Sequence, residues 1–190
     1  SGSGSTILAS DGSHTLSGAY QYLRSGRTLR NDGQLVVGAT TNDVKLYMDG
    51  SNGGIAKTRL VNQGEMVFQG SKNTYIYQNS GNPDAELENN GKLIKRDSGY
   101  AAVSTRVANS GQVIVDGGVL SLGGYVANSG RLQVGSGATL QFAGSSSHSA
   151  TASLSNGAGT VVLLGGTHSF ADGFNDFGNG LIDLQSGALE

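Results

Sequence analysis

The sequence predicts an all-β protein: a right-handed parallel β-helix, or β-solenoid, with three strands per coil and roughly seven to eight coils. Three observations lead to this fold class. Glycine accounts for 32 of 190 residues while proline occurs once, a composition that is untypical of helical proteins. A short phrase of an apolar residue, a spacer, Asn and Gly recurs along the chain. Apolar residues at alternating positions, the period of a β-strand, follow each copy.

The phrase occurs in five clear copies and two looser ones. Their glycines are separated by 31, 27, 20, 19, 29 and 21 residues. A constant inner pattern with a variable length is typical of stacked coils that carry loops at their corners. The shortest interval, 19 residues, is interpreted as one circuit of three strands. The copies are 29–33, 60–64, 87–91, 107–111, 126–130, 154–159 and 177–180.

A strand is predicted after each of these glycines, because the second and fourth residues after the glycine would share one face. Together with the apolar residue before each Asn, they give 21 expected core positions, of which 20 are apolar and Lys95 is the exception. Further strands are predicted at 118–122 and 138–142. The strand pairs are Leu35 and Val37, Met66 and Phe68, Leu93 and Lys95, Val113 and Val115, Leu132 and Val134, Val161 and Leu163, and Ile182 and Leu184.

The Asn of each phrase is predicted to form a ladder along the axis. Asn and Gly accept the backbone conformations that a tight corner requires. Equivalent residues of adjacent coils lie about 4.8 Å apart, so their amides can hydrogen-bond to one another. The expected structural ladder contains Asn31, Asn62, Asn89, Asn109, Asn128, Asn156 and Asn179.

The chain is divided into three parts. Residues 1–5, SGSGS, resemble a linker or cloning remnant. Residues 6–28 fit the phrase poorly and are expected to form an N-terminal cap over the first strand edges. Residues 29–190 are assigned to the β-solenoid, which is expected to be truncated at its C-terminal end, where the last residues resemble the start of another coil.

Composition limits the possible functions. The net charge of −2 gives no reason to expect a nucleic-acid partner. Cysteine is absent, which excludes disulfides, thiol catalysis and thiolate metal sites. No apolar run approaches the length of a membrane span, so direct membrane insertion of this segment is not expected.

The recurring Asn-x-Gly-x-Leu-x-Val phrases, the abundance of Gly, Ser, Thr and Asn, and the lack of Cys resemble the passenger domains of Gram-negative autotransporter adhesins. The self-associating AIDA-type haemagglutinins are the nearest comparison, and the resemblance covers residues 29–190. It implies secretion across the outer membrane and display on the bacterial cell surface. It also implies aggregation, biofilm formation or attachment, with further copies of the chain, or glycans or proteins of a host or matrix, as partners.

We therefore expect a non-enzymatic adhesin whose repeated polar face makes many weak contacts. Two alternatives stay open: an inert stalk, and a carbohydrate-active β-helix that acts on polysaccharide. Catalysis would require carboxylates on both sides of one glycosidic bond. The densest ionic stretch, 84–97, mixes both charges and is interpreted as a solvated, loop-bearing coil. No catalytic residue and no cofactor are predicted.

Tyr75 and Tyr77 are the predicted ligand-binding residues, because they would share one face of a strand. If Ile76 points inward, the two rings are exposed and can stack on a sugar or on another protein. If Ile76 points outward, they fill the core. Tyr20 and Tyr22 form a similar pair.

No metal site is predicted. The three histidines, His14, His148 and His168, have no metal-ligand spacing and are expected at the surface. Residues 172–180 faintly resemble a calcium-binding nonapeptide but lack tandem copies, so they are interpreted as a β-corner.

Overall fold

The computed structural model describes residues 4–49, 57–78, 84–176 and 178–190. These residues form 25 β-strands. None of them belongs to a helix long and apolar enough to cross a membrane. Every third strand along the chain joins the same sheet, so three consecutive strands make one coil and the chain completes eight coils before a last strand.

The first sheet has nine strands. In order along the axis they are β1 (Ser5–Leu8), β4 (Thr28–Asn31), β7 (Thr58–Asn62), β10 (Ala85–Asn89), β13 (Arg106–Asn109), β16 (Val126–Asn128), β19 (Ser146–His148), β22 (Thr167–Phe170) and β25 (Ala188–Leu189).

The second and third sheets have eight strands each. The second contains β2 (Ser13–Leu16), β5 (Gln34–Val37), β8 (Glu65–Phe68), β11 (Lys92–Lys95), β14 (Gln112–Val115), β17 (Arg131–Val134), β20 (Ser153–Asn156) and β23 (Asn175–Asp176). The third contains β3 (Tyr20–Leu23), β6 (Val44–Met48), β9 (Thr74–Gln78), β12 (Tyr100–Val103), β15 (Val119–Leu122), β18 (Thr139–Phe142), β21 (Thr160–Leu163) and β24 (Leu181–Leu184).

All strand pairs are parallel, and equivalent residues of successive coils lie side by side, as Asn62 does with Asn89. Parallel strands joined by crossovers wind in the right-handed sense. The predicted right-handed parallel β-helix with three strands per coil is thus confirmed. We number the coils from coil 1 (β1–β3) to coil 8 (β22–β24).

The core is a set of aliphatic stacks along the axis. Leu93, Val113 and Leu132 are in register on the second sheet and are at most 1% exposed. Burial of each such side chain contributes about 1.5–3 kcal/mol. Stacks of this kind stabilise a chain that has no disulfides. At the edge strand β24, Ile182 and Leu184 remain 41% and 43% exposed.

Residues 6–28, expected as a cap, contribute to a coil of the same helix. Strands β1, β2 and β3 pair with β4, β5 and β6. The phrase is missing there because Leu8 stands at the position equivalent to Asn31. Residues 1–3 of the predicted linker lie outside the described residues.

The last two copies of the phrase lie at a different corner from the first five. Asn156 ends β20 in the second sheet and is in register with Val134, and Asn179 lies between β23 and β24. The strands predicted after them, β21 and β24, therefore belong to the third sheet. Two corners of the coil require the same turn-forming residues, so the phrase alone does not identify the corner. Phe177 lies outside the described residues.

Candidate functional site

Tyr75 and Tyr77 point outward from the third sheet. Between them on β9, Ile76 is fully buried, and side chains of a strand alternate between its two faces. Of the two orientations that the sequence left open, the structure thus shows the one in which the rings face away from the core. Both side chains are half-buried, because neighbouring aromatic rings pack against them.

Parallel register extends this pair into an array. Tyr47 lies beside Tyr22 on one side and Tyr77 on the other. Its ring centroid is 5.4 Å from each of theirs. Tyr75 and Tyr77 are stacked with centroids 5.1 Å apart and planes inclined by 7°. A column of rings therefore runs across coils 1 to 3.

Two more rings enlarge the array at its ends. The Tyr20 centroid is 6.4 Å from that of Tyr47, and the Tyr100 centroid is 6.1 Å from that of Tyr75. All of these rings share one outer surface over coils 1 to 4, which we call the tyrosine face. It consists of Tyr20, Tyr22, Tyr47, Tyr75, Tyr77 and Tyr100.

Two cations border the tyrosine face at its N-terminal end. The guanidinium carbon of Arg24 lies 4.0 Å from the Tyr22 ring centroid, and the Lys45 Nζ lies 5.4 Å from that of Tyr20. Arg24 is also paired with Asp49 at 2.9 Å. These contacts hold the rings in place through cation–π attraction.

The tyrosine face is suited to contact with another molecule. Tyr20 and Tyr22 are 62% and 53% exposed. Rings that are already packed lose little conformational entropy on binding, and each offers apolar area and a hydroxyl. Burial and the neighbouring phenols of Tyr75 and Tyr47 raise the pKa of Tyr77. Its hydroxyl therefore remains a hydrogen-bond donor at neutral pH.

The first five predicted corner asparagines form a continuous ladder inside the corner between the first and second sheets. Nδ2 of each donates to Oδ1 of the next: Asn31 to Asn62 at 2.8 Å, Asn62 to Asn89 at 2.7 Å, Asn89 to Asn109 at 2.6 Å, and Asn109 to Asn128 at 2.7 Å. All are at most 3% exposed. The first three also donate to a main-chain carbonyl of the next coil. The ladder has a structural role, and its side-chain hydrogen bonds all run in the same direction along the axis.

Asn156 and Asn179 are not part of this ladder, and His148 occupies its next rung. The His148 Nδ1 lies 3.2 Å from the Asn128 Nδ2. Instead, Asn156 donates to the carbonyl of Leu181. The equivalence was visible in the sequence, since Ser-Ser-His-Ser starting at residue 146 follows Val-Ala-Asn-Ser starting at residue 126 after one circuit of 20 residues.

The expectation that His148 and His168 lie at the surface is wrong. They are 1% and 0% exposed, because their strand positions point into the coil. Ser146 Oγ lies between them, 3.0 Å from the His148 Nε2 and 2.9 Å from the His168 Nδ1. Burial, aided by the nearby His168, lowers the pKa of His148 to about 4, and burial also lowers that of His168.

Lys95 occupies a core position, as its place in the repeat predicts. It is in register with Phe68 and Val115 and only 2% exposed. Its Nζ donates to the main-chain carbonyls of Arg96 and, at 2.8 Å, Asp97. Burial lowers the pKa of the amine. The side chain thus satisfies the carbonyls of the turn that follows β11.

Glu86 and Glu88 point outward from the first sheet and are paired with cations. Glu86 lies 3.0 Å from Arg106 and 3.8 Å from Lys57, and Glu88 lies 3.2 Å from Arg59. A groove of about 410 Å³ starts beside them and crosses the small side chains of the following coils. The contacts are those of a charge ladder between coils.

Among the described residues, no group of three or more His, Asp or Glu side chains could hold a metal ion. The segment that faintly resembles a calcium site has a turn at Asp172 and Gly173, followed by the short strand β23. Its remaining part includes Phe177, which lies outside the described residues.

No family model, curated protein or solved structure matches this chain. Among the described residues, the tyrosine face brings six aromatic rings together on one outer surface.

Proposed function

We propose that the chain is a non-enzymatic, adhesive β-helix of a bacterial surface protein and that it attaches through the tyrosine face. The observation that carries this proposal is the array of six tyrosine rings packed against one another on one outer surface, some stacked and some tilted, bordered by Arg24 and Lys45. Tyrosine and arginine are enriched among the residues that dominate binding at protein interfaces.

Cell-surface display is part of the same proposal. A long, regular β-helix is the fold that the resemblance to autotransporter passenger domains implies. The resemblance also supplies the proposed partners: a further copy of the chain, or a glycan or protein of a host or matrix.

Attachment would come from many weak contacts made together. Rings on successive coils present the same groups at the spacing of the strands, about 4.8 Å. A partner with an extended surface can therefore contact several coils at once. Even about 1 kcal/mol per contact then gives strong overall binding.

The test is a triple variant, Tyr22→Ser, Tyr47→Ser and Tyr77→Ser, which removes the central column of rings. We expect at least a tenfold loss of self-association in sedimentation, or of binding to a panel of glycans and matrix proteins, because hot-spot truncations cost about 2 kcal/mol or more. Circular dichroism and thermal unfolding establish that the variant remains folded.

The matched control is Thr139→Ser with Gln141→Ser, at outward positions of the same sheet in coil 6. The control is expected to bind as the original chain does. A folded triple variant with unchanged attachment would contradict the role of the tyrosine face. An original chain that stays monomeric and binds no glycan or matrix protein would contradict the adhesive function itself.

A further inference from the structure

The hydrogen bonds at the end of the asparagine ladder fix the position of the proton in the buried His148. Asn128 Oδ1 accepts from Asn109 and from the Gly130 amide, so its Nδ2 is the donor to His148. The His148 Nδ1 must then be an acceptor, and its proton lies on Nε2. That N–H donates to Ser146 Oγ, which also lies 2.9 Å from the His168 Nδ1. The His148 imidazole is therefore neutral in this arrangement.

A second proton on His148 cannot be accommodated in this network. It would place an N–H on Nδ1, facing the N–H of Asn128 at a distance of 3.2 Å between the nitrogens. Two donors would then face each other in a buried site, and each would lack an acceptor.

The other neighbours of His148 would not stabilise a positive charge on its ring. The Phe170 ring from β22 stacks on it with a centroid distance of 4.6 Å, and Phe142 from β18 and Phe174 lie at 5.3 and 5.5 Å. The remaining contacts are Asn128 from β16, Ser146 from β19 and His168 from β22. The titratable group among these contacts is His168, which would repel the charge. No carboxylate is among them. A buried cation without a partner is costly.

We infer that Ser146, His148 and His168, the histidine cluster, are an acid-sensitive lock that opens coils 7 and 8 at mildly acidic pH and leaves the tyrosine face in coils 1 to 4 folded. Opening can be local because each coil of a solenoid pairs only with its neighbours. The cluster joins β19 to β22, far along the axis from β3, β6, β9 and β12. The inference does not depend on the proposed adhesive function.

The direction of the pH effect follows from linkage. The folded-state pKa of His148, about 4, lies below the ordinary value of about 6.5. Between these two pH values the opened segment binds a proton on His148, whereas the closed segment does not. The closed segment therefore has its full stability above this range. Its stability falls as the pH decreases through the range. Between pH 7 and pH 5 this amounts to an increase of about 20-fold in the opening equilibrium.

The test is hydrogen exchange by mass spectrometry at pH 7 and pH 5, with correction for the intrinsic exchange rates. Protection of residues 146–176, from β19 to β23, should fall about 20-fold more than protection of residues 85–103. The matched variant is His148→Asn, which continues the ladder with an amide that accepts from Asn128 and does not titrate. In this variant most of the difference between the two regions should disappear, and what remains reports His168, whose pKa is also lowered by burial.

A difference between the regions that is as large in His148→Asn as in the original chain would overturn the inference, as would equal responses in the original chain. Nitrogen NMR shifts of the imidazoles in the original chain give an answer that needs no variant. We expect a neutral His148 with its proton on Nε2 down to pH 5. Protonation near pH 6.5, or a proton on Nδ1, would contradict the proposed lock.

Discussion

Asn89 is the central rung of the asparagine ladder, and its side chain makes three hydrogen bonds, two of them buried and one partly buried. It accepts from Asn62 and donates to Asn109 and to the carbonyl of Gln112. Asn89→Ala leaves two buried polar atoms without a partner: one amide hydrogen of Asn62, whose other amide hydrogen still bonds to the Lys92 carbonyl, and the Oδ1 of Asn109. Since each such atom costs about 1–3 kcal/mol, we expect the free energy of unfolding to fall by about 3 kcal/mol, as measured by urea denaturation.

The neighbouring residue provides the control for this change. Asn90 is exposed, and its side-chain oxygen accepts one hydrogen bond from Ser110 at the surface. Asn90→Ala should change the free energy of unfolding by no more than about 0.5 kcal/mol. Equal effects of the two substitutions would mean that the ladder contributes no more than an exposed polar contact.

At the scale of the strand and its corner, the sequence predicts a repeating structure well, because turn chemistry and the two-residue period are local properties. The stacks at Leu93 and Val113 and the rungs from Asn31 to Asn128 were predictable for this reason. Assignment of a strand to a sheet is not local, since it depends on counting strands through loops of variable length. The phrase at Asn156 was therefore placed at the wrong corner.

Two features of the candidate site could not be predicted from any single copy of the repeated phrase. The tyrosine face depends on the register between coils, which brings Tyr22, Tyr47 and Tyr77 from three separate strands into contact. The histidine cluster arises because a histidine replaces asparagine at the ladder position of the coil. His148 follows the asparagines because its Nδ1 can accept a hydrogen bond as an amide oxygen does.

The corner glycines allow the coils to stack, and Gly111 tests this role. A Cβ at Gly111 would collide with the main-chain carbonyl oxygen of Gly91 in the preceding coil. Neither backbone atom can move without separating the two coils. Gly111→Ala is therefore expected to lower the free energy of unfolding by about 2–3 kcal/mol, which urea denaturation would measure.

Gly157→Ala is the matched control, because it changes a glycine at another corner. A Cβ there would lie 3.5 Å from the Val134 carbonyl oxygen, an ordinary van der Waals distance, and the backbone does not have a positive φ. We expect stability to be unchanged or raised by about 0.5 kcal/mol. A similar loss for both substitutions would attribute the effect to glycine in general and not to coil stacking.

For the whole molecule, the linear arrangement of coils predicts graded stability. Strand β10 pairs with β7 and β13, whereas β24 pairs with β21 alone. Opening a terminal coil disrupts one interface, but opening a central coil disrupts two. At pH 7, where both histidines are neutral, hydrogen-exchange protection should therefore be greatest in coils 4 to 6 and decrease towards both ends.

The same gradient of stability is expected within the tyrosine face. Tyr75 and Tyr77 lie on coil 3, next to the most stable part of the stack, and Tyr100 lies within that part on coil 4, whereas Tyr20 and Tyr22 lie on coil 1. Exchange should be slower at β9 and β12 than at β3. If all three strands exchanged at one rate, the stack would open as a single unit. The free energy of coupling between coils would then exceed the stability of any single coil. The same measurement would also rule out an acid response confined to coils 7 and 8.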